Sequence, residues 1–306
     1  GFGREIDANH RVSIATYENN VADLVLTYND ESSRVSNQNN PFRVGECVAV
    51  GLPQRINDLA PARRQSSSIK FGLFKRFEPI VYLSTMLPIG NSLMIHAGSG
   101  SDYVRASFDM DLLKEVFARL PRRVLFKAYP VSPIYLDGKR KNLVGSRRMA
   151  IPSRYLDLDP ICELAKDTKN VSLYEGFTDA IDMITKHQIV VLTGCSSTIA
   201  SSLVSDIPLV FMDHPLVRPM NPEIREDFDD AVFCFDALEP NLHSNLIELL
   251  SQPMELLMEQ WEHKRPARTR FIEKHVIKKL PEEAGPIGAE LVKNIISKYQ
   301  SPSMSS

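Results

Sequence analysis

The sequence predicts an α/β fold, a doubly wound parallel sheet of Rossmann-like type, and three observations predict it. From Glu78 onward, short apolar runs and longer amphipathic stretches alternate along the chain. The apolar runs are continuous rather than broken by polar residues, the pattern of strands buried on both faces. The segment from Ile189 to Met220 then reads as a buried strand, a hydroxyl-rich helix start and a second buried strand, which is the unit such sheets repeat.

Residues 1 to 70 carry only two apolar stretches, Ala22 to Tyr28 and Glu46 to Gly51. A polar, Asn/Ser-rich loop through Asn40 separates them, and a basic polar segment, Pro53 to Ser68, follows. Two short strands do not make a domain, and the chain opens on Gly1 without an initiator methionine, as expected where a chain starts inside a fold. The regular part begins with a strand over Pro79 to Ser84 and a loop containing His96, Gly98, Gly100 and Asp102. A helix from Asp111 to Leu120 carries Val116, Phe117 and Leu120 as its apolar stripe. A strand over Arg123 to Tyr129, a long loop from Pro130 to Tyr155, a helix over Asp159 to Asp167, a strand over Val171 to Tyr174 and a helix over Thr178 to Lys186 follow.

Next comes the strand Ile189 to Leu192, a turn into a helix with Ile199 and Leu203 on one face, a second apolar strand, and the run Ala231 to Phe235. Beyond Asn241 the chain reads as helices over Leu242 to Leu250, Met254 to Lys264, Ala267 to Lys279 and Gly288 to Tyr299. The Ser/Pro/Met tail, residues 301–306, reads as disordered.

Composition narrows the class. The 306 residues are 43% hydrophobic and 24% charged, the balance of a soluble globular protein. A net charge of −2 argues against broad nucleic-acid binding, which needs a strongly positive face. No apolar run approaches the ~20 residues of a membrane helix and no signal peptide is visible, so a cytoplasmic location is expected. Cys47, Cys162, Cys195 and Cys234 are widely separated, without metal-ligand spacing or a disulfide framework, and read as reduced core residues.

Ligands in open parallel sheets bind beyond the carboxyl ends of the strands. The residues predicted there are Ser84 and Thr85; Lys127, Tyr129 and Pro130; Glu175 and Gly176; Thr193, Gly194, Cys195, Ser196, Ser197 and Thr198; and Asp213, His214 and Arg218. Hydroxyls, a lysine, an arginine and carboxylates make a phosphate-and-sugar site. A phosphate at the start of the Ser196–Thr198 helix gains amide N–H bonds, the helix dipole and the serine hydroxyls. Alternatively, Ser196 or Ser197 serves only as the helix N-cap. Lys127, Glu175 and Asp213 are equally consistent with ordinary strand-end or turn residues.

Three segments carry a resemblance: Val124 to Pro130 (VLFKAYP), Val171 to Phe177 (VSLYEGF), and Thr193 to Asp213 (TGCSSTIASSLVSDIPLVFMD). They resemble the C-terminal, donor-binding domain of GT-B glycosyltransferases of bacterial surface-polysaccharide biosynthesis, over roughly residues 78 to 240. In those relatives a Lys-x-His-Pro stretch and a Ser-Ser-Thr helix start hold the phosphate of a nucleotide-activated donor. The resemblance therefore implies nucleotide and phosphate binding by Lys127, Tyr129, Pro130, Gly194, Ser196, Ser197 and Thr198, with Tyr129 standing where the family more often has His. Cytidine donors are frequent in the subset pairing these motifs, as in CMP-Kdo and CMP-sialic acid transferases and in CDP-glycerol or CDP-ribitol polymerases.

On this reading residues 1 to 70 form the tail of an acceptor-side domain, and residues 71 to 300 form the donor domain with its C-terminal helices. No cofactor and no metal is expected, because lysine, hydroxyls and helix amides neutralise the departing phosphate. A Kdo donor carries a carboxylate, for which Arg218, Arg147, Arg148 or Arg154 are partners, and Asp213 and His214 fall on the sugar side. A retaining transfer needs a carboxylate near the anomeric carbon; Asp102 in the GSGSDY loop is the first candidate and Glu175 the second. The expected partners are a nucleotide-sugar donor, a saccharide or lipid-linked acceptor and further domains of a larger transferase. The basic runs Lys139 to Lys141 with Arg147 and Arg148, and Lys264 to Arg270, allow peripheral contact with an anionic membrane. The other classes are a polyol-phosphate transferase, a non-hydrolysing sugar-nucleotide epimerase, whose catalytic carboxylate and histidine cluster is not found, and a non-catalytic scaffold domain.

Overall fold

A computed structural model describes residues 21–38, 44–51, 79–84, 102–128, 159–174, 180–276 and 281–300. The strands are β1 (Leu24–Thr27), β2 (Glu46–Ala49), β3 (Ile80–Leu83), β4 (Val124–Lys127), β5 (Val171–Tyr174), β6 (Ile189–Thr193), β7 (Leu209–Asp213) and β8 (Phe233–Asp236). The helices are α1 (Asp30–Gln38), α2 (Asp102–Asp111), α3 (Asp159–Asp167), α4 (Ala180–Ile184), α5 (Ser197–Ser205), α6 (Pro222–Ala231), α7 (Leu242–Ser251), α8 (Met254–His263), α9 (Arg265–His275) and α10 (Pro281–Gln300).

Six strands form one parallel sheet in the order β5-β4-β3-β6-β7-β8. β3, β6 and β7 are almost entirely buried, which is why their sequences read as unbroken apolar runs. On one side α2 and its continuation pack against α3 and α7, and on the other α4, α5, α6 and α9 pack together. The core spans both layers, from Leu112, Phe117 and Leu246 to Ile199, Leu203, Phe228 and Phe271. The doubly wound α/β architecture predicted from the alternation is the one observed.

One segment expected as a loop is helical. The Asn/Ser-rich stretch before Asn40 forms α1, so β1 and β2 pair in parallel around a helical crossover. The Asn29 side chain accepts from the Ser32 N–H at 2.7 Å, and Asp30 and Glu31 occupy the first turn, where a helix dipole favours negative charge. Buried Ser32, Ser33 and Ser36 face inward in place of the apolar residues that periodicity requires. α6 falls where the sequence suggested no element. Its helix start is written in Asn221, whose side chain accepts from the Glu223 N–H, and Pro222 at the first helical position, with Ile224, Phe228 and Ala231 as its buried stripe.

The helix expected from Asp111 instead begins at Asp102. A wide turn over Leu112–Val116 and a tight one over Phe117–Arg119 continue it. That change of pitch breaks the 3.6-residue period, and buried Asp109 interrupts the apolar stripe. α10 likewise starts earlier than Gly288, at Pro281. Among the described residues no helix is long and apolar enough to cross a membrane. The four cysteines are unbonded to one another, with Cys47 and Cys195 buried and Cys162 and Cys234 partly so.

α5 is fixed firmly at its carboxyl end. Asp206 caps it in a left-handed conformation, φ 57°, and its carboxylate accepts from Arg268 Nε at 3.1 Å and Nη2 at 2.8 Å. Arg268 also lies over the Trp261 ring, 3.7 Å from its centroid, and the Trp261 Nε1–H donates to the Asp206 carbonyl at 3.2 Å.

Candidate functional site

The strand order reverses between β3 and β6, the point at which parallel sheets of this kind open a crevice. Register aligns Leu83 with Lys127 and with Leu192, so Ser84 and Thr193 stand level at its rim. Lys127 ends β4 and is buried, and the Lys127 carbonyl accepts from the Ser84 N–H at 3.0 Å. Two strand spacings, about 10 Å, separate β4 from β6.

The turn out of β6 is built on Gly194. Its φ is +72°, and a Cβ there would run into the Val217 carbonyl oxygen, so glycine is required both by conformation and by space. The Cys195 N–H donates to the Arg218 carbonyl at 2.9 Å, which seats the segment after β7 against the start of α5. Ser196 is the N-cap residue in extended conformation, φ −150°, yet its hydroxyl makes no capping bond. Ser196 and Thr198 are partly exposed at the first turn, where helix amides lack internal partners.

A buried acid beneath this crevice escaped the sequence reading. Asp109 on α2 accepts from the Tyr82 hydroxyl and, at 2.5 Å, from the Ser84 hydroxyl, while Tyr82 Oη lies 3.0 Å from Thr193 Oγ1. One carboxylate thus ties the ends of β3 and β6 together across the order reversal. Burial pushes its pKa up to about 6, against the pull of its two hydroxyl donors and of buried Arg105 one turn away. Burial and the Asp109 charge likewise drive the Tyr82 phenol well above its ordinary range. The signal in the sequence is slight: a carboxylate between Phe108 and Leu112, four residues after an arginine.

The remaining expected residues separate into groups. The Asp213 carboxylate ends β7 and is occupied structurally, accepting from the Met220 N–H at 2.9 Å and from the Arg225 guanidinium. His214 is buried, with Nδ1 accepting from the Leu216 N–H at 3.1 Å, its ring edge-on to Phe108, and its pKa lowered by burial. Arg218 takes a left-handed conformation, φ 51°. Asp102, expected in a flexible loop, is the first residue of α2, its backbone part of that helix rather than of a loop. Thr85, Tyr129, Pro130, Arg147, Arg148, Arg154, Glu175, Gly176 and the tail 301–306 lie outside the described residues, as does the Ser197 side chain.

The described residues line concavities. One, about 430 Å³, lies on the α2 and α7 side of the sheet, with His214 in its lining. Another, about 940 Å³ and largely apolar, runs between α10 and the carboxyl ends of β1 and β2. Among the described residues no three His, Cys, Asp or Glu side chains gather as a metal site.

No protein-family model and no curated protein matches the chain. Similar solved structures include a trehalose-6-phosphate synthase studied with bisubstrate glycomimetics, at 9% identity and TM-score 0.48, covering 89% of this chain and 61% of that one. The Anabaena protein HepE in complex with UDP-glucose is similar at 11% identity and TM-score 0.46, covering 89% and 65%. The wall teichoic acid polymerase TagF is similar at 14% identity and TM-score 0.49, covering 90% and 59%. The chain spans less than two thirds of the length of each. At these identities and TM-scores the likeness says nothing of what this chain binds.

Proposed function

We propose that this chain carries the donor-binding half of a metal-independent GT-B glycosyltransferase, with a nucleotide-activated sugar seated at the carboxyl edge of the six-stranded sheet. The observation that carries this reading is the start of α5 at the strand-order reversal, where the N-cap residue Ser196 makes no side-chain capping bond. The sugar leaves its nucleotide phosphate as that phosphate gathers charge. Helix amides, the Ser196 and Thr198 hydroxyls and the Lys127 ammonium are the groups that stabilise it.

The finer reading is a cytidine donor, CMP-Kdo, transferred to a growing surface polysaccharide or lipid-linked acceptor at the cytoplasmic face of a membrane. It rests on the pairing of Lys127-Ala-Tyr-Pro130 with the Ser196–Thr198 helix start. In this scheme Arg154 and Arg218 hold the donor carboxylate, Tyr129 and Pro130 shape the nucleotide side, and Asp102 or Glu175 faces the anomeric carbon. Asp213 and His214 act through the turn that follows β7, since the Asp213 oxygens are engaged within the protein. Residues 1 to 70 belong to the acceptor-side domain and 71 to 300 to the donor domain.

The test is calorimetric titration with CMP, CDP, UMP, UDP, GDP and ADP. A cytidine nucleotide that binds, and is weakened at least tenfold by Ser196→Ala and by Lys127→Ala, supports the proposal. Binding of a uridine or purine nucleotide alone overturns the cytidine donor, and binding unaffected by both substitutions moves the site elsewhere.

A further inference from the structure

We propose that the cavity lined by α2 and the first turn of α7 is a saccharide subsite, in which a neutral sugar ring stacks on Tyr103 and hydrogen-bonds Glu239 and His243. This rests on the reading of the chain as a glycosyltransferase and places a part of its acceptor.

The lining argues for this ligand class and against others. Tyr103 and Leu238 are 77% and 63% exposed, two large side chains at the lip of one cavity. An aromatic face and a leucine in that arrangement fit the C–H face of a pyranose. Exposed Glu239 supplies an acceptor for the outward hydroxyls, His243 supplies an imidazole that donates or accepts, and Asp111, the last residue of α2, closes the far end of the cavity. Among the described residues no lysine or arginine lines the cavity, so a phosphate, nucleotide or acidic lipid would meet two carboxylates and no cation. At about 430 Å³ the cavity has the size of a small-ligand cleft.

The cavity is also adjacent to the donor crevice by construction. His214 lines it, and the short turn from His214 to Arg218 closes on itself through the Val217 N–H bond to the His214 carbonyl at 2.9 Å. The far end of the same turn accepts from Cys195 and crowds Gly194 at the start of α5. His214 Nδ1 already accepts from the Leu216 N–H, which leaves the ring proton of the neutral imidazole on Nε2 as a donor. A sugar held at Tyr103 is thus one five-residue turn from the helix start assigned to the donor phosphate.

Saturation-transfer NMR on the full chain tests this with glucose, galactose, N-acetylglucosamine, rhamnose and lactose, with inorganic phosphate as competitor. The expected result is transfer to at least one of the five sugars, reduced at least fivefold by Tyr103→Ala, restored by Tyr103→Phe, weakened by Glu239→Gln and indifferent to phosphate. No transfer to any of the five, transfer equal in Tyr103→Ala, or displacement by phosphate overturns the subsite. The wild-type chain is titrated in parallel with CMP and CDP. Nucleotide binding without sugar binding ends the subsite and leaves the donor reading, and sugar binding without nucleotide binding does the reverse.

Discussion

Arg268 and Asp206 form a buried ion pair that fixes the carboxyl end of α5, and two guanidinium nitrogens converge on a single carboxylate oxygen at 3.1 and 2.8 Å. The guanidinium is almost wholly buried and sandwiched against Trp261. Removing Arg268 strips Asp206 of its buried partner and leaves it only the half-exposed Arg265 at 3.1 Å. Arg268→Ala is expected to cost about 3 to 5 kcal/mol in urea unfolding, whereas Arg265→Ala, whose partner contact to Asp206 is half exposed, should cost under about 1 kcal/mol. Equal losses at the two positions would contradict the assignment.

Asp109 makes stability depend on pH in an unusual direction. Its folded pKa of about 6 lies above the unfolded 3.8, so the folded state binds the extra proton. Its contribution is fully present below about pH 4 and is lost as pH rises through about 6, a span worth about 3 kcal/mol. Asp109→Asn should remove this term, and the difference between wild type and variant, read by chemical denaturation from pH 4 to 7, should shrink toward low pH.

His275 works against it. Burial lowers its pKa to about 4 from 6.5, so the unfolded chain binds more protons in that interval and stability is lost as pH falls. The two windows overlap with opposite signs, and each hides the other in the wild-type profile. His275→Gln should expose the Asp109 slope, with stability falling from pH 4 to 6, while Asp109→Asn should expose the opposite slope. Parallel profiles in both variants would show that neither group titrates as assigned.

Gly194→Ala should be costly and local. The added methyl meets the Val217 carbonyl, and φ +72° is unfavourable for alanine, a combined loss of about 1 to 3 kcal/mol. Because that carbonyl belongs to the turn packed on the start of α5, nucleotide affinity should fall by more than the same loss produced by a core substitution such as Leu246→Val. Titration at matched fractions folded separates the two effects.

Legibility followed burial. β3, β6 and β7 were plain in the sequence because both faces are covered, leaving no polar residue to disguise the run. α3 and β5 were located residue for residue because each is short and sharply bounded. α1 was not, since Ser32, Ser33 and Ser36 carry its buried face and serine signals a loop on composition alone. In the site, Ser196 and Lys127 were legible as strand-end chemistry, but the Asp109–Tyr82–Ser84 network was not. Its members come from two distant segments and look, one by one, like a helix carboxylate, a core tyrosine and a strand-end serine.

The turn from His214 to Arg218 has two tenants. One end walls the cavity beside Tyr103 and the other presses on the glycine that shapes the start of α5. If a ligand at either end shifts this turn, it alters the other end's affinity, and thermodynamics requires the two effects to be equal. Such a shift would let five residues of backbone report to each substrate whether the other has arrived.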